Sequence, residues 1–176
     1  MANREALREL QARLANRLQA ARFEGQSASW LAVRVGPINA LFPLAQSGEI
    51  FPLPAITPVP YVRAWFSGVV NLRGGLYGVV DLASFMGDAH ARVRTEQSIS
   101  ESSLVTFNAD LELNCALIVD GLAGLRRQDS FVSSKAPATG APAYFGNQFF
   151  DSGGVQWQEI NLRALSQFPE FLIISA

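Results

Sequence analysis

The spacing of apolar and polar positions changes character along the chain. Over residues 3–23, Leu7, Leu10, Leu14 and Leu18 recur at three- and four-residue steps and Ala21 extends the stripe, with Arg, Glu and Gln on the remaining faces. This predicts an amphipathic helix with Asn3 as its N-cap, broken by Gly25-Gln26-Ser27. From Trp30 the period falls to two. Residues 30–35 read as a strand, Gly36-Pro37 as a turn and 38–42 as the returning strand. A short strand around Glu49-Ile50-Phe51 follows. Pro52, Pro54, Pro58 and Pro60 then remove ladder donors and predict an extended surface connector. Residues 61–66 read as one helical turn anchored by Trp65 and Phe66.

The most informative stretch is 68–82, GVVNLRGGLYGVVDL. Two apolar runs flank Gly74-Gly75, where a hairpin reversal is cheapest because glycine tolerates positive φ. Inside this greasy hairpin stand Asn71 and Arg73. Arginine is seldom buried alone, so either a carboxylate such as Glu49 or Asp81 answers Arg73, or the side chain faces outward as a recognition group. Residues 88–103 are polar and read as a long loop or a joint between subdomains. Strands resume at 104–107, turn at 108–110 and continue over 113–119 to Asp120-Gly121. Both 79–82 and 118–121 end an apolar run on aspartate, a weak internal echo that two similar small barrels would explain. Residues 133–143 read as a second surface loop, and 144–150, 155–162 and an apolar tail over 168–174 close a mainly β chain.

Composition narrows the function. Of 176 residues, 49% are hydrophobic and 16% charged, enough for a sizeable core. Lys plus Arg number 14 against 15 Asp plus Glu, so no overall field draws nucleic acid or an anionic membrane. No apolar leader or uninterrupted spanning window is present, so neither membrane insertion nor export is expected, and the protein is read as cytoplasmic. The single Cys115 reads as a small core filler in a reducing compartment. One histidine, His90, and one cysteine cannot build a multi-histidine or thiolate metal site. Neither a P-loop nor a GxGxxG turn is present, so no cofactor is expected. The one enzymatic candidate is a carboxylate dyad of Asp81 and Asp120, set against the commoner role of a strand-end aspartate accepting turn amides. A non-enzymatic alternative is a barrel whose Trp30, Trp65 and Phe66 line a groove for a proline-rich peptide.

The run Gly68-Val69-Val70-Asn71-Leu72-Arg73-Gly74, followed by Val79-Val80-Asp81-Leu82, resembles the GvxNLRGxxxPvvDL signature of the CheW-like chemotaxis coupling proteins. The likeness extends to Glu49-Ile50, to Val59-Pro60-Tyr61-Val62 and to 117–125, covering about residues 29–165. It implies two small five-stranded SH3-like barrels, which agrees with the strands read over 27–176 and the joint read near 88–103; the helical extension over 1–26 exceeds the simplest family members. It also implies a non-catalytic adaptor, without cofactor, that joins a chemosensory histidine kinase regulatory domain to the helical-hairpin tip of a chemoreceptor. By position, the implied contact residues are Glu49, Ile50, Asn71, Arg73 and Gly74. The chain departs from the signature at Gly75, at Gly78 and, before Glu49, at Ser47. The N-terminal extension, Tyr77 and Gly78 together resemble the coupling proteins of type IV pilus (twitching motility) systems.

Overall fold

The computed structural model describes residues 30–87 and 93–176; the helix expected over 3–23 and His90 lie outside the described residues. Among the described residues, eleven strands form two sheets. The strands are β1 (Trp30–Val35), β2 (Ile38–Pro43), β3 (Ser47–Pro52), β4 (Phe66–Leu72), β5 (Gly75–Asp81) and β6 (Ser103–Phe107). β7 (Cys115–Val119), β8 (Gly121–Arg126), β9 (Phe131–Lys135), β10 (Phe145–Asp151) and β11 (Gln156–Ile160) complete the set. Four short helices accompany them: α1 (Leu82–Met86), α2 (Glu96–Glu101), α3 (Leu162–Ser166) and α4 (Pro169–Leu172).

One sheet has the order β8-β1-β2-β11-β10-β9 and the other β3-β6-β7-β5-β4. Residues 47–119 build the five-stranded barrel, and residues 30–43 together with 121–160 build its six-stranded neighbour. The stretch 88–103 therefore joins β5 to β6 within one sheet and is not the joint between barrels. The crossings fall instead between β2 and β3 and at Asp120. The polar composition of 88–103 hid α2, which starts where the Thr95 hydroxyl accepts the Ser98 amide at 3.2 Å.

Strand periodicity explains the packing. In β1, Leu31, Val33 and Val35 enter a core shared by the two sheets, while Trp30 and Ala32 enter a second cluster with Leu41, Phe149 and Trp157. In β7, Cys115, Leu117 and Val119 face the shared core, while Ala116 and Ile118 face a third cluster with Val70, Leu72 and Val79. Burial on both faces is why residues 30–33 and the whole of β7 read as unbroken apolar runs. Local turn chemistry moved three boundaries. Residues 63–66 form a turn closed by the Phe66 amide on the Arg63 carbonyl at 2.9 Å, not a helical turn. β9 begins ahead of the loop expected over 133–143 and takes its first residues. The central hairpin reverses at Arg73-Gly74, one residue earlier than expected, because Leu72 pairs with Gly75.

Candidate functional site

The two-residue connection between β4 and β5 needs positive φ at both positions to match the strand twist. Arg73 has φ 50° and Gly74 φ 84°. An L-residue in this region costs about 1–2 kcal/mol, and Asn71 offsets part of it by accepting the Gly74 amide on Oδ1 at 3.0 Å. The turn thus holds an arginine at the end of the barrel. Its Nη2 lies 2.9 Å from Glu49 Oε2, and its guanidinium sits 5.8 Å from the centre of the Phe51 ring. Glu49 is positioned by an irregularity in β3, where the register shifts between Ser47 and Ile50. There the Thr106 hydroxyl receives the Glu49 amide at 2.8 Å. A side chain at Gly48 would collide with Thr106 and the Phe107 carbonyl.

Arg73 therefore ties the hairpin of β4 and β5 to β3, the outer strand on the other side of the same sheet. It is paired and exposed at once, with side-chain exposures of 75% for Arg73 and 55% for Glu49. A pair this wet is worth about 0–1 kcal/mol. Either partner can leave it for a better one. Of the five expected contact residues, Glu49 and Arg73 meet directly and Ile50 is exposed beside Glu49. Asn71 and Gly74 shape the turn.

Asp81, the other carboxylate considered for Arg73, is answered by Arg94. Arg94 Nη2 lies 2.9 Å from Asp81 Oδ2, and Nη1 lies 2.6 Å from Asp120 Oδ1 and 2.9 Å from the Ser102 hydroxyl. Asp81 also caps α1 through the Ser84 amide at 3.2 Å, and Asp120 Oδ2 accepts the Gly36 amide at 2.6 Å. The two aspartates considered as a dyad do converge, but a guanidinium joins them. The arrangement performs capping and charge pairing across the two sheets. Sequence reasoning missed Arg94, because nothing in a polar run marks one arginine as half-buried and paired.

Of the aromatics considered for a peptide groove, Trp30 and Trp65 are buried and Phe66 packs partly buried against the shared core. Trp30 donates its indole N–H to Glu159 Oε2 at 2.6 Å and packs on Phe131 and Phe149. Trp65 stacks on Phe171 in the shared core. The Cys115 thiol is buried, which pushes its pKa up to about 12 and keeps it protonated. Among the described residues no helix is long and apolar enough to cross a membrane.

Comparison with known proteins sets this geometry in a family. The model of the CheW-like domain matches residues 29–148. Protein PilI of Pseudomonas aeruginosa is 30% identical over 165 residues, spanning 93% of this chain and 89% of that protein. The crystal structure of the scaffolding protein TtCheW from Thermoanaerobacter tengcongensis superposes with a TM-score of 0.60 at 17% identity, covering 76% of this chain and 88% of that one. That likeness accounts for the paired SH3-like barrels, and the matched motif includes the hairpin that presents Arg73. The chain belongs to the CheW-like family.

Proposed function

We propose that this chain is a non-catalytic coupling protein that joins the cytoplasmic tip of a chemoreceptor to the regulatory domain of a chemosensory histidine kinase. It works in the cytoplasm and reaches the membrane through its receptor. The 30% identity to Protein PilI supports placing it in a type IV pilus system rather than a flagellar one. The observation that carries the reading is the exposed Arg73–Glu49 pair beside Phe51 and Ile50. A planar guanidinium that already holds one exposed carboxylate can exchange it for a partner's, and an apolar rim supplies contact area.

The test is titration calorimetry of Arg73→Ala and Arg73→Lys against a kinase regulatory domain and a soluble receptor hairpin. Loss of one charge-assisted contact of about 2 kcal/mol weakens binding about thirtyfold. Lysine keeps the charge but not the fork, so it restores little of the loss. Unchanged affinity for both partners in Arg73→Ala would remove this surface from the coupling role.

A further inference from the structure

The irregularity in β3 decides which way Glu49 points. Ser47 stands opposite Phe107 and Ile50 opposite Val105, so two residues, Gly48 and Glu49, face the single Thr106 of β6. That count is a β-bulge, a device that re-aims a side chain. Residues opposite each other in an antiparallel pair share a face of the sheet. Phe107 and Val105 lie in the core shared by the two sheets, whereas Phe51 stands opposite Leu104 and packs into the third cluster. Without the extra residue, alternation from Ser47 would turn Glu49 to the shared-core face. With it, Glu49 joins the face of Phe51, over whose ring the Arg73 guanidinium sits.

One side chain closes the bulge. The Thr106 hydroxyl receives the Glu49 amide at 2.8 Å and donates to the Glu49 carbonyl at 3.3 Å, standing in for ladder bonds that the bulge interrupts. A Cβ at position 48 would strike this hydroxyl and the Phe107 carbonyl, so glycine is what lets the two strands meet there. Thr106 is 5% exposed, which leaves it out of a partner's reach. Asn71 does the equivalent work at the Arg73 turn. The two charged side chains therefore leave from main chain that side-chain bonds hold in place, while the pair between their tips is solvated.

We propose that Thr106 is a positioning residue of the coupling surface: its hydroxyl holds the β3 bulge that turns Glu49 onto Arg73, and so keeps the guanidinium ordered over Phe51 for a partner's carboxylate. The role rests on the coupling function proposed above.

The test uses the full chain, isotope-labelled for NMR. In Thr106→Ala the Arg73 guanidinium signals should move to where Glu49→Gln puts them, and in Thr106→Ser, which keeps the hydroxyl, they should stay at the parent's position. This measurement needs no partner. By calorimetry, affinity for whichever partner Arg73→Ala weakens should fall about fivefold in Thr106→Ala and in Glu49→Gln alike, because the partner must then order the long arginine side chain itself. The double variant should fall no further, since residues that act through one another do not add. Losses that add would leave Thr106 a structural residue only and overturn the proposal. So would unmoved Arg73 signals in Thr106→Ala, or a Thr106→Ser variant that loses the pair. If Thr106→Ala does not fold, Thr106→Ser decides: parental signals and affinity support the role of the hydroxyl, and their loss overturns it. If Arg73→Ala weakens neither partner, the coupling surface falls and this role with it, while the Arg73 signals still report the pairing.

Discussion

The two barrels solve one structural problem with different residues. At the end of β5, Asp81 has φ −76° and ψ 100° and caps α1 through the amide of Ser84. At the end of β11, Asn161 has φ −76° and ψ 101° and caps α3 through the amide of Ala164. The Asp81 amide donates to the Trp65 carbonyl at 2.9 Å and the Asn161 amide to the Tyr144 carbonyl at 2.7 Å. Each of those aromatics makes an edge-to-face contact with the phenylalanine that follows it. The parallel pair β5 with β7 matches β11 with β2. The internal echo thus relates residues 80–82 to 160–162 and not to 118–121. Capping requires only an acceptor oxygen, which asparagine supplies. The charge on Asp81 has a second purpose, the guanidinium of Arg94.

Substitutions can break this comparison in graded steps. The largest effect is expected from Arg94→Met, which leaves Asp81 and Asp120 facing each other without the guanidinium. Removing one member of a fully buried pair costs about 3–5 kcal/mol, and this cluster is only partly buried, so about 2–3 kcal/mol is expected, readable as a fall in the urea midpoint. Asp81→Asn converts the first barrel to the cap of the second. It keeps the hydrogen bond to Ser84 and loses only the ionic half, so denaturation should report about 2 kcal/mol. A cost as large as that of Arg94→Met would mean that Asp81 alone carries the cluster.

Asn161→Ala removes a cap with no charge behind it and should cost about 1 kcal/mol by the same measurement. Arg73→Ala should change stability by no more than about 1 kcal/mol, because its pair is solvated, while sharply weakening assembly. That inversion separates the surface arginine from the partly buried one. The smallest effect concerns the other hairpin. Asp151, the last residue of β10, accepts the indole N–H of Trp157 at 3.1 Å and the amides of Val155 and Gly153. These bonds, that to Trp157 first, hold its carboxyl below the ordinary value of 3.8. The folded pKa is lowered, so this contribution is present above the unfolded pKa and is lost as pH falls through the folded one. An NMR titration should place its midpoint below 3.8.

The strands and the first hairpin were legible in the chain because each depends on neighbours within a few residues, whereas whether Arg73 is exposed or internally paired stayed open. A period of two predicts β1 and β2, and the glycines at 74 and 75 place the second reversal to within one residue of the turn at Arg73-Gly74. Asn71 and Gly74 were expected as contact residues, and the structure shows them shaping the turn that presents Arg73; a motif does not tell a contact from such a turn.

What tertiary structure alone decided lies at long range. Whether Arg73 or Arg94 meets Asp81 depends on where 93–102 packs, and a polar run has no periodicity to locate it. Trp30 finds Glu159 across 129 positions of sequence, which no local pattern encodes. The assignment of β8 to the first sheet and β3 to the second is likewise invisible in the chain. Residues 30–43 and 121–160 must come together to complete one barrel beside 47–119, and only burial of the shared core selects that pairing over a division into sequential halves.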